Sequence, residues 1–159
     1  KVAVTYTFQQ YFQYVQNLAR RWGGQVKDAA GDGVMCMFPD ADSALNCARE
    51  LQQNLEGFNR RHNRLNGPLT VRIGLNTGNV LARDLQDYRM TRSLYDYTLD
   101  LAGKVQKGIG AGQIALTNNT MEHLQNPITA DRQEFWPEYN ITVYVLNPLA
   151  ESTSAPGLP

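Results

Sequence analysis

The chain has few features that would commit it to a specialised environment. It carries two cysteines in 159 residues, Cys36 in a strand-like run and Cys47 in a helix-like one. They have no metal-type spacing and sit at apolar positions, which predicts reduced core residues and excludes a disulfide framework. Net charge is also lacking, because fifteen Lys and Arg balance fifteen Asp and Glu. That balance leaves no electrostatic footprint for nucleic acid. No apolar run approaches the length of a membrane span, and Lys1 opens into Val2-Ala3-Val4 without a signal-peptide pattern, so the expected location is cytoplasmic. What remains is a chain that is 42% apolar, enough for a core. We expect a domain over residues 1–148 and a flexible tail or linker, rich in Ser, Pro and Gly, over 149–159.

The most informative stretch is Gly31-Asp32-Gly33 followed by Val34-Met35-Cys36-Met37-Phe38. Flanking glycines permit a tight turn and close approach of another group, so Asp32 is the first candidate for chemistry. An ordinary Asp-Gly hairpin turn is the plainer reading of the same residues. Gln25 to Ala29 is expected to form the first arm of this hairpin and Val34 to Phe38 the second.

Lys1 to Val4 reads as a strand end. Phe8, Tyr11, Phe12, Val15, Leu18, Ala19 and Trp22 then recur at helical spacing, and Gly23-Gly24 supplies a stop. Ala41, Ala44, Leu45, Ala48, Leu51, Leu55 and Phe58 mark a second helix, with Asp40 or Asp42 as its cap. Arg60, Arg61, His62 and Arg64 at its end read as a solvated terminus complementing the helix dipole, not as a phosphate or nucleic-acid site. Leu69, Val71, Ile73 and Leu75 alternate as a strand, and Thr77-Gly78-Asn79 is expected to turn into a partner strand over Val80 to Ala82. Residues 83–96 read as a loop with a short strand near Ser93 and Leu94. A helix through Leu99, Ala102 and Val105, a strand from Gln113 to Thr117, a short helix capped within Asn118-Asn119-Thr120, and a last strand from Ile141 to Leu146 complete a mixed α+β pattern.

Five blocks in order carry a resemblance: Gly23-Gly24; Gly31 to Met35 ending in Phe38-Pro39; Val71-Arg72-Ile73-Gly74-Leu75-Asn76-Thr77-Gly78-Asn79-Val80; Leu99 to Val105; and Gly112 to Thr117. From about Phe8 to Leu146 the chain resembles the class III nucleotidyl (adenylate/guanylate) cyclase catalytic domain. The resemblance implies a ferredoxin-like, antiparallel-rich sheet with helices packed on one face, the first hairpin being central. It also implies conversion of a nucleoside triphosphate (ATP or GTP) to a 3′,5′-cyclic nucleotide and pyrophosphate in signal transduction, by a domain of a longer protein.

In the family two aspartates hold two ions, Mg2+ or Mn2+, and Asp32 falls at the second. The first belongs to a phenylalanine-x-aspartate-isoleucine-x-glycine-phenylalanine motif on an opening strand. The sequence passes from Val4 to the Phe8 helix without it, either because a ligand is lost or because residues are absent between Val4 and Thr5. The transition-state asparagine and arginine correspond to Asp100 and Lys104, which on the residues alone also read as a solvated i, i+4 pair. Asp28 and Ser93 fall at the base-reading positions, and Asp28 can accept from the N1–H and amino group of guanine. The leucine-lysine-glycine of the family before the last strand is replaced by Trp136-Pro137-Glu138-Tyr139-Asn140. The resemblance further implies a head-to-tail homodimer whose sites combine both subunits. The competing reading is a non-catalytic cyclase-homology domain kept for dimerisation, nucleotide sensing or regulation.

Overall fold

The computed structural model describes residues 1–30, 33–78 and 88–149; of Ala30 and of 88–95 only the backbone is described. It separates into two compact units, residues 1–71 with the segment from Asn147, and residues 72–146.

In the first unit, α1 (Val2–Arg21) and α2 (Ala41–His62) run antiparallel. Tyr11 and Tyr14 both meet the Phe58 ring, at centroid distances of 5.9 and 5.5 Å, and the Thr7 hydroxyl accepts from the Arg64 amide at 3.0 Å. These contacts use the faces that the two helical periodicities mark. α1 ends as its glycines require: Gly23 takes φ 79°, its amide donates to Arg20 O at 3.0 Å, and the Gly24 amide donates to Ala19 O at 2.8 Å. This Schellman pattern satisfies carbonyls that the helix end leaves open. Asp40 rather than Asp42 caps α2, its Oδ1 accepting from the Ser43 amide at 2.8 Å.

Between the helices, β1 (Gln25–Ala30) and β2 (Gly33–Met37) form the expected antiparallel hairpin, with Ala30 opposite Gly33. Gly31 and Asp32 lie outside the described residues. The register slips between Val26 and Asp28, leaving Lys27 as an inserted residue. Among the described residues the hairpin is a sheet of its own and not the centre of a larger one, which corrects that expectation. α1 packs on the hairpin and α2 packs on α1.

The second unit is a sheet in the order β3 (Ile73–Leu75), β4 (Ile114–Thr117), β6 (Ile141–Leu146), β5 (Arg132–Trp136). β3 and β4 are parallel because α3 (Tyr88–Lys107) is traversed between them, and the remaining pairings are antiparallel. Leu101 and Val105 of α3 and Ile109, two residues beyond its end, pack with Ala115, Ile141, Val143 and Val145 in one buried cluster. Each of the Leu, Ile and Val side chains contributes about 2 kcal/mol by leaving water. Gly74 is where α3 comes closest: a Cβ there would collide with the Ala102 carbonyl and the Gln106 backbone. α4 (Asn118–His123) is capped by Thr117, whose side chain accepts from the Thr120 amide at 3.3 Å. Asn118 instead receives the Thr142 amide at 3.0 Å.

Four local expectations are corrected. Lys1 to Val4 is not a strand end, since α1 already runs through Val4 and Thr5, with Val2 81% exposed. A helix anchored by later turns extends at little cost through β-branched residues. By the same mechanism the helix of Leu99 begins at Tyr88, so no strand forms at Ser93. β3 is shorter than expected because α2 side chains engage the preceding backbone: Asn59 bonds both the amide and the carbonyl of Leu69, and Gln52 donates to Val71 O at 2.9 Å. β5 was not anticipated, since Arg132, Gln133 and Phe135 are exposed along an edge strand and give no period-2 signal. The partner strand at Val80 to Ala82, the loop at 83–87 and the tail at 150–159 lie outside the described residues.

Candidate functional site

Asp100 and Lys104 stand one turn apart on α3, and the structure brings them together: Lys104 Nζ lies 2.9 Å from Asp100 Oδ2 and 4.9 Å from the centroid of the Tyr139 ring. The hydrogen bond from Lys104 to Asp100, assisted by Asp100's charge, holds the ammonium pKa above the usual lysine value. Both side chains remain substantially exposed, at 42% and 62%. The pair lies about 100° round the helix from the buried Leu101 and Val105, each of which follows a member of the pair by one residue.

A polar network at the end of β3 fastens this helix. Asn76 Nδ2 donates to Thr98 O at 3.1 Å, and the Thr117 hydroxyl donates to Asn76 Oδ1 at 2.7 Å. The Thr120 hydroxyl lies 3.0 Å from that of Thr77, whose carbonyl receives the Asn119 amide group. Thr117 and Thr120 are each only 1% exposed, so these bonds form in a dry setting where an unmade one is costly. Gly78 also lies against Thr98, and a side chain there would strike the Thr98 hydroxyl. The network therefore pins α3 immediately before Asp100. Sequence reasoning noticed Asn76-Thr77-Gly78 as a block without seeing this role; a cluster of Asn and Thr at the end of an apolar strand was the available signal.

Asp28 lies on β1 in the other unit. It is exposed, and its Oδ1 accepts from the Ala29 amide at 2.8 Å, which leaves the second oxygen available. Ser93 lies in the second turn of α3, not in a loop, and its side chain is outside the described set. Asp32 is outside it as well. Among the described residues no group of three His, Cys, Asp or Glu is arranged to hold a metal ion. Of the two carboxylates nearest the expected chemistry, Asp28 accepts from a neighbouring amide and Asp100 from Lys104.

The family model for the adenylate and guanylate cyclase catalytic domain matches residues 3–146. The chain belongs to this family. The cyclase domain also shares its fold with solved structures. One is the guanylyl cyclase domain of the RhoGC fusion protein from the aquatic fungus Blastocladiella emersonii, an atypical dimer, at 18% identity and TM-score 0.65, over 91% of this chain and 82% of that one. Another is the guanylyl cyclase Cya2, at 18% identity and TM-score 0.66, over 90% and 79%. A relative by sequence is the protein named "Putative adenylate cyclase 3" of Rhizobium meliloti (strain 1021), 25% identical over 108 residues. That match takes in 68% of this chain but only 17% of the relative's length. The mixed α+β architecture with mainly antiparallel pairing agrees with the family expectation, and no described helix is long and apolar enough to cross a membrane.

Proposed function

We propose that the chain is a nucleotidyl cyclase domain, taking a nucleoside triphosphate to a 3′,5′-cyclic nucleotide and pyrophosphate. The observation that carries this reading is the Asp100–Lys104 pair, presented outward on a helix that the Asn76 network and the Gly74 contact hold in place. As the ribose 3′-oxygen bonds to the α-phosphorus and the bond to pyrophosphate breaks, negative charge moves onto phosphate oxygens. An ammonium fixed on a rigid element stabilises that charge with little reorganisation. Lysine lacks the two-pronged grip of arginine, so Lys104 acts as a point charge with three donors. Asp28 and Ser93 are our assignment for base reading. Asp28, with an acceptor oxygen to spare, favours guanine and hence GTP.

Asp32 is the residue we assign to a divalent ion, Mg2+ or Mn2+, which when bound supplies charge neutralisation on the phosphates. We further propose a symmetric homodimer in which Asp32 of one subunit faces Asp28, Ser93, Asp100 and Lys104 of the other, within a longer signalling protein. The atypical dimer of the Blastocladiella emersonii domain supports an assembly of this family in pairs.

A non-catalytic role is the second reading, and one observation favours it. Asp100 already neutralises Lys104 at 2.9 Å, so an incoming polyanion meets a satisfied cation. Incubating the purified protein with ATP and with GTP, each with Mg2+ or Mn2+, and assaying cyclic nucleotide and pyrophosphate separates the two. Turnover that Asp32→Ala abolishes while the melting temperature stays unchanged supports the enzyme. No product under any of the four conditions supports the regulatory domain, and full activity in Asp32→Ala removes Asp32 from the site.

A further inference from the structure

Where α1 meets α2, far along α2 from its cap, a polar cleft of about 400 Å³ is lined by Tyr14 and Arg21 of α1 and by Gln53, Asn54, Glu56, Gly57, Arg60 and Arg61 of α2. Its three guanidinium groups are not equivalent. Arg21 is bound to Glu50, and Arg60 lies 3.2 Å from Glu56. Arg61 has no carboxylate among the described residues, so three positive groups face two negative ones. The floor under Arg61 is Gly57, in the middle of a 22-residue helix, where an alanine would be more stable by roughly 0.5–1 kcal/mol. A Cβ at Gly57 would lie 3.3 Å from the Arg61 guanidinium, so the bare backbone leaves a place for that group to lie flat. Across the cleft, the half-buried Tyr14 hydrogen-bonds the Asn54 side chain, and burial, then Glu50, keep its phenol protonated well into alkaline pH. The cleft thus combines an uncompensated guanidinium, a phenol and an amide, above a glycine that local helix stability disfavours. Such a conflict between local preference and structure marks a candidate functional position.

We propose that this cleft docks an acidic segment of a protein partner, with one partner carboxylate seated on Arg61. Charge complementarity selects the occupant. The two neighbouring arginines already take glutamates from their own chain, and a guanidinium grips a carboxylate through two parallel bonds. The cleft is shallow and polar, unlike the enclosed apolar pockets that bury small ligands. A peptide lying along α2 past Glu56 and Arg60 reaches Arg61 without displacing either existing pair. The site is independent of the catalytic reading, since none of its residues is assigned to nucleotide or metal.

The test is fluorescence anisotropy of a labelled oligoglutamate peptide with the full chain at low salt, against an oligoglutamine control. Arg61→Gln should weaken oligoglutamate binding roughly tenfold, the loss of one charge-assisted pair. Lys107→Gln, which removes an equal charge from an exposed position in the other unit, should change it less than about twofold. Gly57→Ala, which presses on the guanidinium without altering charge, should fall between them. Equal weakening by Arg61→Gln and Lys107→Gln, equal binding of oligoglutamine, or absence of binding overturns the proposal. So does displacement of the peptide by millimolar inorganic phosphate from the parent chain, because the cleft is then a phosphate site. Arg61 is exposed, so circular dichroism and an unchanged melting temperature verify that its variant is folded.

Discussion

The two units present their expected chemistry on different kinds of support. Lys104 and Asp100 ride on a helix whose inner face enters a core of seven buried residues and whose approach is fixed by Asn76 and Gly74. Asp28 rides on a two-stranded ribbon that is solvent-exposed along β1, with Met35 and Met37 of β2 38% and 39% exposed. An isolated hairpin is marginal and depends on what it packs against, here α1. The difference teaches that the phosphate-facing and base-facing halves of the proposed site need not tolerate change alike. The helix face is over-determined, whereas the ribbon, packed on α1, turns an exposed side to solvent and is freer to vary in the residues it displays there.

The widest gap between the two supports should appear on adding a single methyl group. Gly74→Ala drives a Cβ into backbone atoms of Ala102 and Gln106, which cannot swing aside as a side-chain tip would. The cost should be about 3 kcal/mol, at the upper end of core overpacking. For a chain of this length the melting temperature falls by roughly 10 °C. Asp28→Ala on the ribbon should change stability by less than about 0.5 kcal/mol, as exposed substitutions do. If the protein is active, it should nevertheless alter the preference between GTP and ATP. Thermal melts of the two variants check the first half and paired assays the second; similar melting shifts would erase the contrast.

A smaller effect should come from the network. Asn76→Ala removes the acceptor of the Thr117 hydroxyl and the side-chain donor that reaches the Thr98 carbonyl, both in a largely buried setting, at a cost of about 1–3 kcal/mol. Its more telling consequence is on position. If the network sets α3 for Lys104, the variant should lose kcat with little change in KM, whereas a purely structural role would lower the melting temperature alone. Restoring one donor and one acceptor with Asn76→Gln tests geometry, because the longer side chain keeps the chemistry and misplaces it.

How much of this was readable in advance follows from where the signal resides. α2, its Asp40 cap, the glycine stop of α1, the first hairpin and β6 were legible because each rests on residues close in sequence: a helical period, a cap, a turn dipeptide or a strict alternation. The start of α1, the first turns of α3 and the brevity of β3 were not, since they depend on groups far along the chain, such as Asn59 and Gln52 holding the strand approach. β5 escaped because Glu134 and Trp136 take the half-buried positions while the apolar Phe135 is exposed, so its burial alternates without a matching hydrophobic pattern. Of the proposed site, the Asp100–Lys104 pair followed from i, i+4 spacing alone, but the Asn76 network joins residues about twenty and forty positions apart and could not be composed from local pattern.

The gentlest way to sharpen the comparison is to titrate a pair of groups confined to the first unit. Burial pushes the Cys36 thiol up to about 11, and burial, with a smaller contribution from Cys36 and Glu50, pushes Cys47 up to about 12, both from an ordinary value of 9.0. Well below pH 9.0 both thiols are protonated whether the chain is folded or not, so neither makes stability depend on pH there. As pH rises beyond that value the unfolded chain releases its thiol protons first, so stability declines up to about 12, where the folded thiols ionise as well. The same protonation makes both thiols poor nucleophiles near neutral pH, because the thiolate is the reactive form. Alkylation at pH 8 should therefore be slow in the folded protein and fast after denaturation, with Cys36, the half-buried one, labelled before Cys47. Rapid labelling of Cys36 under native conditions would mean that the hairpin opens away from α1 far more readily than its packing implies, and labelling of Cys47 at the same rate would extend that opening to α2. If both stay protected while the alkaline decline appears in denaturant melts, the ribbon's packed face is as firm as the platform of the other unit, and the difference between the two supports is confined to the face that the ribbon turns to solvent.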